Sequence, residues 1–329
     1  MEKFAEDEKS TIQRKRIPSI LSSFIFMEIF NHMRIVFSFV FFALLFQSCT
    51  KKPVLYSASD FAFVGDFTLG LEGPAVDADG NLFFVNPERN GTIGKVGPNG
   101  DFEIYIDSLP NGSVANGIRF DQSGIMFLAD YVNHNILTID PMHKEVVIYA
   151  HDSTMNQPND IAIASNGTLY ASDPNWAEST GNLWRVDQGG DFVLLESNMG
   201  TTNGVEVAPG DSLLYVNESV QRKVWVYDLS SEGEVSNKRM LIEFPDYGLD
   251  GMRCDVEGNL YIARYGKGTI AVVSPGGQLL YEVELKGQKP TNIAFGGPEG
   301  KTCFVTCQDR EYIESFEVSS VGRSYSILK

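Results

Sequence analysis

The sequence predicts an all-β ring of six four-stranded blades, a six-bladed β-propeller, on three observations. One motif recurs six times at a nearly constant step. Each copy consists of short alternating runs separated by turns. No long segment carries the period of a helix. A chain of 329 residues suits one large all-β domain, and 43% hydrophobic residues can build a sizeable core.

The beginning of the chain differs from its body. Residues 1–32 are charged, lack a clear period, and read as a disordered or non-native extension ahead of a start at Met33. Residues 33–48 hold Arg34, twelve apolar or small residues from Ile35 to Phe46, then Gln47 and Ser48. A short positive region, an apolar stretch of about 7–15 and a small residue before the cut describe a secretory signal. Its Ser-Cys ending resembles a bacterial lipoprotein signal, with Cys49 as the lipidated residue. Twelve apolar residues are too few to span a bilayer, which needs about 20. The expectation is an exported lipoprotein of the cell envelope, periplasmic or outer-membrane associated, that touches the membrane only through its lipid anchor.

Residues 49–329 then form a single propeller domain. The span 54–66 precedes the first repeat and is expected to supply a strand that closes the last blade. The repeats are LEGPAVDADGNLFFVN from 71, ANGIRFDQSGIMFLAD from 115, PNDIAIASNGTLYASD from 158, TNGVEVAPGDSLLYVN from 202, LDGMRCDVEGNLYIAR from 249 and TNIAFGGPEGKTCFVT from 291. Within the second unit GIRFD, IMFLADY, NILTID and EVVIYA read as four strands, with Asp-Gln-Ser-Gly as the first turn. Four strands in about 44 residues are one blade.

The second residue of each repeat is Glu72, Asn116, Asn159, Asn203, Asp250 and Asn292, at steps of 44, 43, 44, 47 and 42. The innermost strand of each blade lines the central channel, so these six residues should form a ring at one mouth. Every one carries a side-chain oxygen. Turn chemistry explains Asn or Asp at one strand start, but not at six of six in one phase. Such a ring suits a hard divalent cation, calcium above others, which takes 6–8 oxygen ligands. Four cysteines and four histidines argue against zinc or copper. A net charge of −17 argues against nucleic-acid partners and favours bound cations. Beyond Cys49, Cys254, Cys303 and Cys307 read as small packed residues; the last two lie too close along one strand to bridge.

The strings EGP, PND, NG and DGM at the heads of successive repeats resemble the senescence-marker-protein/gluconolactonase family of six-bladed propellers, which includes luciferin-regenerating-enzyme-like proteins. They are also similar to the diisopropyl-fluorophosphatases and paraoxonases. The resemblance covers about residues 66–310. It implies a divalent metal held by Glu72, Asn159, Asn203 and Asp250, hydrolysis of a lactone or related ester, and Asp250 as base. Two departures stand out. Gln157 occupies the place where related gluconolactonases often carry an Arg for the sugar acid. The run Tyr131-Val-Asn-His134 resembles one half of a paraoxonase His pair, yet Asn116 stands where the other half would be.

His134 is a second candidate base, because a neutral imidazole suits proton transfer near pH 7. Asn116 and Asn292 complete the ring and are expected to face substrate. Asp173 and Trp176, after the second strand of the third blade, and Arg264, ending that of the fifth, are expected to shape the pocket. Arg253 stands three residues after Asp250 and should point away from it in an alternating strand. The expected partner of this monomer is a small-molecule lactone or ester. A non-catalytic propeller with a structural metal is the alternative, and a lyase or strictosidine-synthase-like role on the same scaffold is a smaller one.

Overall fold

Six antiparallel sheets of four strands follow one another along the chain. The structure is a computed structural model that describes residues 54–65 and 68–329. The expected extension, the signal and Cys49 lie outside the described residues.

Blade one is β2 (Glu72–Val76), β3 (Leu82–Val85), β4 (Ile93–Val96) and β5 (Phe102–Ile106), counted outward from the channel; β1 (Ser59–Phe63) belongs elsewhere. Blade two is β6 (Ala115–Phe120), β7 (Met126–Asp130), β8 (Asn135–Asp140) and β9 (Glu145–His151). Blade three is β10 (Ile161–Ile163), β11 (Leu169–Asn175), β12 (Thr180–Val186) and β13 (Phe192–Met199). Blade four is β14 (Thr202–Val207), β15 (Leu213–Glu218), β16 (Lys223–Leu229) and β17 (Val235–Glu243). Blade five is β18 (Met252–Cys254), β19 (Leu260–Arg264), β20 (Thr269–Val273) and β21 (Leu279–Glu284). Blade six is β22 (Pro290–Gly296), β23 (Thr302–Cys307) and β24 (Tyr312–Glu317), completed by β1 pairing antiparallel with β24. The N-terminal strand therefore closes the last blade, which leaves neither end of the ring as an open gap.

Local chemistry fixes the hairpins. In the turn from β6 to β7, Asp121 Oδ1 accepts the backbone N–H groups of Ser123 and Ile125, and Gly124 takes φ 82°. An L side chain rarely adopts that angle, so the turn ends on Gly.

No single core fills the molecule. Six apolar clusters each bridge two neighbouring blades. In β19, Leu260 and Ile262 join the cluster shared with blade four, whereas Tyr261 and Ala263 join that shared with blade six. This is the period of two of a strand buried on both faces. Cys254, Cys303 and Cys307 are free and buried in these clusters, as expected.

A short helix that the strand pattern did not reveal, α1 (Arg323–Leu328), lies at the far mouth of the channel. Its Arg323 donates to the Ile163 carbonyl at 3.1 Å and to Asp211 at 2.7 Å. Above it, Arg119 pairs with Asp160 at 3.1 Å and with Glu206 at 3.4 Å, Arg253 pairs with Asp160 at 3.1 Å, and Arg323 meets Glu206 at 3.6 Å. These five charged side chains are buried within the channel, three guanidiniums sharing two carboxylates, and Arg323 also meets Asp211.

Candidate functional site

The near mouth of the channel is built by a repeated backbone device. On each innermost strand the ladder to its neighbour slips by one residue at the ring position. Glu72 faces Val85 but Ala75 faces Phe83; Ala115 faces Asp130 but Ile118 faces Leu128. The same one-residue bulge recurs between Thr202 and Val205 and between Pro290 and Asn292. In blades three and five it appears as Asn159 N–H donating to the Ser172 carbonyl and Asp250 N–H to the Ala263 carbonyl, just ahead of the regular pairing. A bulge re-aims a side chain, and here it does so six times. It also overrides simple alternation at Arg253: the residue reaches into the channel like Asp250, one layer deeper, rather than away from it.

Glycine lets the strands converge. Gly73 has φ 56°, and a Cβ there would meet the Asn116 carbonyl oxygen at 2.0 Å. At Gly251 a Cβ would meet the Asn292 side chain at 1.9 Å.

A cavity of about 460 Å³ opens over the ring, lined at its floor by Glu72, Asn116, Asn159, Asn203 and Asp250. Glu72 Oε2 accepts the Gly73 N–H at 2.6 Å. Burial raises the Glu72 carboxyl to about 7, the Asp160 charge pushes the same way, and hydrogen bonds from Gly73, Asn292 and Asp250 oppose both. Burial and the Glu72 charge push Asp250 well above the usual carboxylate range, while a hydrogen bond from Asn203 pulls it down. Glu72 and Asp250 are thus pushed up together, and a proton held on the pair relieves their repulsion. Neither has a Lys or Arg partner among the described residues. Asn159 Oδ1 is buried without a donor.

This donor set fits a hard cation. Two converging carboxylates and an orphaned amide oxygen lack what a divalent ion supplies. Among the described residues no three His, Cys, Asp or Glu side chains converge, so a cation held here would depend on amide oxygens as well as carboxylates.

The other expected site residues divide. Trp176 lines the cavity wall, as does Asn116 its floor. Asn292 is buried, its Oδ1 accepts the Ile293 N–H at 2.9 Å, and it does not reach the cavity. His134 sits at φ 57° on the turn from β7 to β8, outside the lining, with its Nδ1 unpartnered. A base must come within hydrogen-bond reach of its proton, and this turn carries His134 away from the ring. Asp173 lies inside β11, fully buried, and accepts from the backbone N–H groups of Asn156 and Gln157 and from Asn182 and Trp184. Arg264 is 1% exposed, pairs with Asp246 and Glu282, and stacks on Phe244.

Asp173 and Arg264 share a reason for being elsewhere. Each follows its ring residue by 14 positions, as do Asn86, Asp130, Asn217 and Thr306. All six tie down the loops around the mouth: Asn86 donates to the Gly70 and Ala115 carbonyls, Asp130 accepts from Val114 N–H, Asn217 donates to the Asp250 carbonyl and Thr306 bonds Thr291. One repeat phase forms the ring and another latches it. Tyr131, Ser219, Tyr265 and Gln308 line the wall one or two residues after that latch. Sequence reasoning gave Tyr131, Ser219 and Gln308 no role in the pocket, although the shared phase was there to be read.

A family model described as the SMP-30/gluconolactonase/LRE-like region matches residues 70–309. The gluconolactonase of Zymomonas mobilis is 27% identical over 291 residues, covering 78% of this chain and 79% of that protein. The diisopropyl-fluorophosphatase of Loligo vulgaris is 25% identical over 285 residues, covering 77% and 90%. Among solved structures, a calcium-binding protein, regucalcin, from Agrobacterium tumefaciens superposes with a TM-score of 0.71 over 80% of this chain and 95% of that one, at 18% identity. With six blades, a ring at one mouth and a family match across most of its length, the chain belongs to the SMP-30/gluconolactonase/LRE-like family.

Proposed function

We propose that the chain is a divalent-cation-dependent hydrolase of lactones or related carboxylic esters, with calcium as the cation. The observation that carries this reading is the Glu72–Asp250 pair, two carboxylates on one cavity floor that are pushed up together and have no cationic partner among the described residues, beside the orphaned Asn159 Oδ1. Relatives named gluconolactonase and 6-deoxy-6-sulfogluconolactonase support the substrate class.

Glu72, Asn159, Asn203 and Asp250 would hold the ion. When bound, it would act as a Lewis acid toward a carbonyl oxygen. The chain's own groups do the rest. Asn203, also on the cavity floor, holds the Asp250 carboxyl down against burial and so favours its charged form. Asp250, partly open to the cavity, is placed to take a proton from water. Asn116, whose Nδ2 donates to the Asn159 carbonyl at 3.3 Å, borders the space above the pair and can orient the substrate's oxygens. The buried ion pairs beneath keep bulk water from entering the ring from below.

Assaying hydrolysis of glucono-lactone and aryl esters, before and after chelation, tests this. Loss on chelation and recovery with calcium is the expected outcome. Turnover that ignores chelation would overturn the cation's role, and no turnover on any lactone or ester would overturn the hydrolase. The reading also places this activity in the cell envelope; Cys49→Ala should then release the protein from the membrane fraction or leave its precursor uncut.

A further inference from the structure

The wall of the cavity is not uniform around the ring. On blades one to three it presents Leu69, Tyr131 and Trp176; on blades four to six it presents Ser219, Tyr265 and Gln308. Leu69 is 75% exposed and Trp176 45%, large apolar surfaces left in water at the edge of a site. Such surface at a concave mouth marks a place for an apolar group. The opposite arc is made of hydrogen-bonding groups already held in place: the Tyr265 hydroxyl donates to Gln308 Oε1 at 2.9 Å. Among the described residues, the Gln308 amide nitrogen and the Ser219 hydroxyl make no other hydrogen bond. Besides the ring amides Asn116 and Asn159, Gln157 adds a further amide on the same side.

Charge narrows the choice further. Among the described residues, no Lys, Arg or His side chain lines the cavity, while Glu72 and Asp250 do. With the two carboxylates offset by a bound cation, an anionic substituent would still find no cationic side chain in the described lining to receive it. The −17 charge of the whole chain repels it at longer range as well.

We infer that the substrate is an uncharged, amphipathic lactone or ester, whose apolar substituent rests on Leu69, Tyr131 and Trp176 while its oxygen-bearing side faces Ser219, Tyr265 and Gln308. This rests on the hydrolase reading above and makes Leu69 and Trp176 specificity-determining residues.

The test compares kcat/KM across γ-butyrolactone, γ-hexalactone and γ-octalactone, with a γ-lactone of matching length that ends in a carboxylate. All are measured on the full chain with calcium present. The expected result is a climb of about two- to fourfold per methylene covered, and at least about tenfold weaker use of the carboxylate-ended compound. Trp176→Ala and Leu69→Ala should each cut the ratio of octalactone to butyrolactone by about fivefold or more. Tyr265→Phe should instead lower kcat/KM for oxygen-rich lactones and leave that ratio in place. A flat series, a preference for the anionic lactone, or a ratio that Trp176→Ala does not move would overturn the inference while the hydrolase reading stands. Failure to open any lactone or ester would overturn both.

Discussion

The two ends of one channel treat buried acid in opposite ways. At the far end Asp160 sits between Arg119 and Arg253, and Glu206 between Arg119 and Arg323. Each charged group there has an opposite partner from the chain. At the near end Glu72 and Asp250 face only amides and each other, and a proton must relieve them. The two layers stand only a residue apart: Asn159 belongs to the near ring and Asp160 to the far network. Both are carried by the same innermost strands and enclosed by the same blades. What separates them is the source of the neutralising charge. The far end is a finished internal structure, whereas the near end is complete only with something from outside.

This contrast can be broken at either end. Asp250→Asn keeps an oxygen but removes a negative charge and the proposed base. Turnover should fall by about a hundredfold or more, the scale on which one electrostatic element of a site matters. In chelator the same variant should melt higher than the parent, because it removes a repulsive buried charge. Steady-state kinetics and a melting scan read the two signs.

Glu206→Gln at the far end should act in the opposite sense. It strands Arg119 and Arg323 without their shared carboxylate, and breaking a buried pair costs about 3–5 kcal/mol. Urea denaturation should show that loss, while any folded fraction still binds one cation. Asp173→Asn tests the latch between the ends. It weakens hydrogen bonds to a charged acceptor, each worth about 1.5–3 kcal/mol, and should lower stability more than it changes turnover.

A further effect is one of pH. In the metal-free protein Glu72 keeps its proton to about 7, against the ordinary 4.5. The native state then holds more protons than the unfolded chain between these values. Stability should therefore fall as pH rises from about 4.5 to about 7. Calcium competes with that proton, so saturating calcium should abolish the fall, and melting scans in chelator and in calcium check it.

The propeller and its ring were legible because both are periodic. A six-fold step marks Glu72, Asn116, Asn159, Asn203, Asp250 and Asn292 without any knowledge of contacts. The latch was equally periodic, yet its residues vary in type, from Asn86 to Arg264, and a pattern of mixed chemistry hides its common job. That is why Asp173 and Arg264 read as pocket residues. The far network was hidden for another reason. Its members come from different repeats and meet only across the channel, and the bulge that turns Arg253 inward defeats alternation. Nor does periodicity say how deep a ring residue sits, so Asn292 read as a substrate contact although it is buried out of reach of the cavity.

The difference between the two ends reduces to whether the near ring takes up a cation that the far network does not need. Calorimetric titration of chelator-stripped protein with calcium measures this directly. The account predicts one ion per chain, bound with proton release near pH 6, and loss of that binding in Glu72→Gln while Glu206→Gln retains it. Absence of calcium binding in the parent, or equal binding in Glu72→Gln, would contradict it.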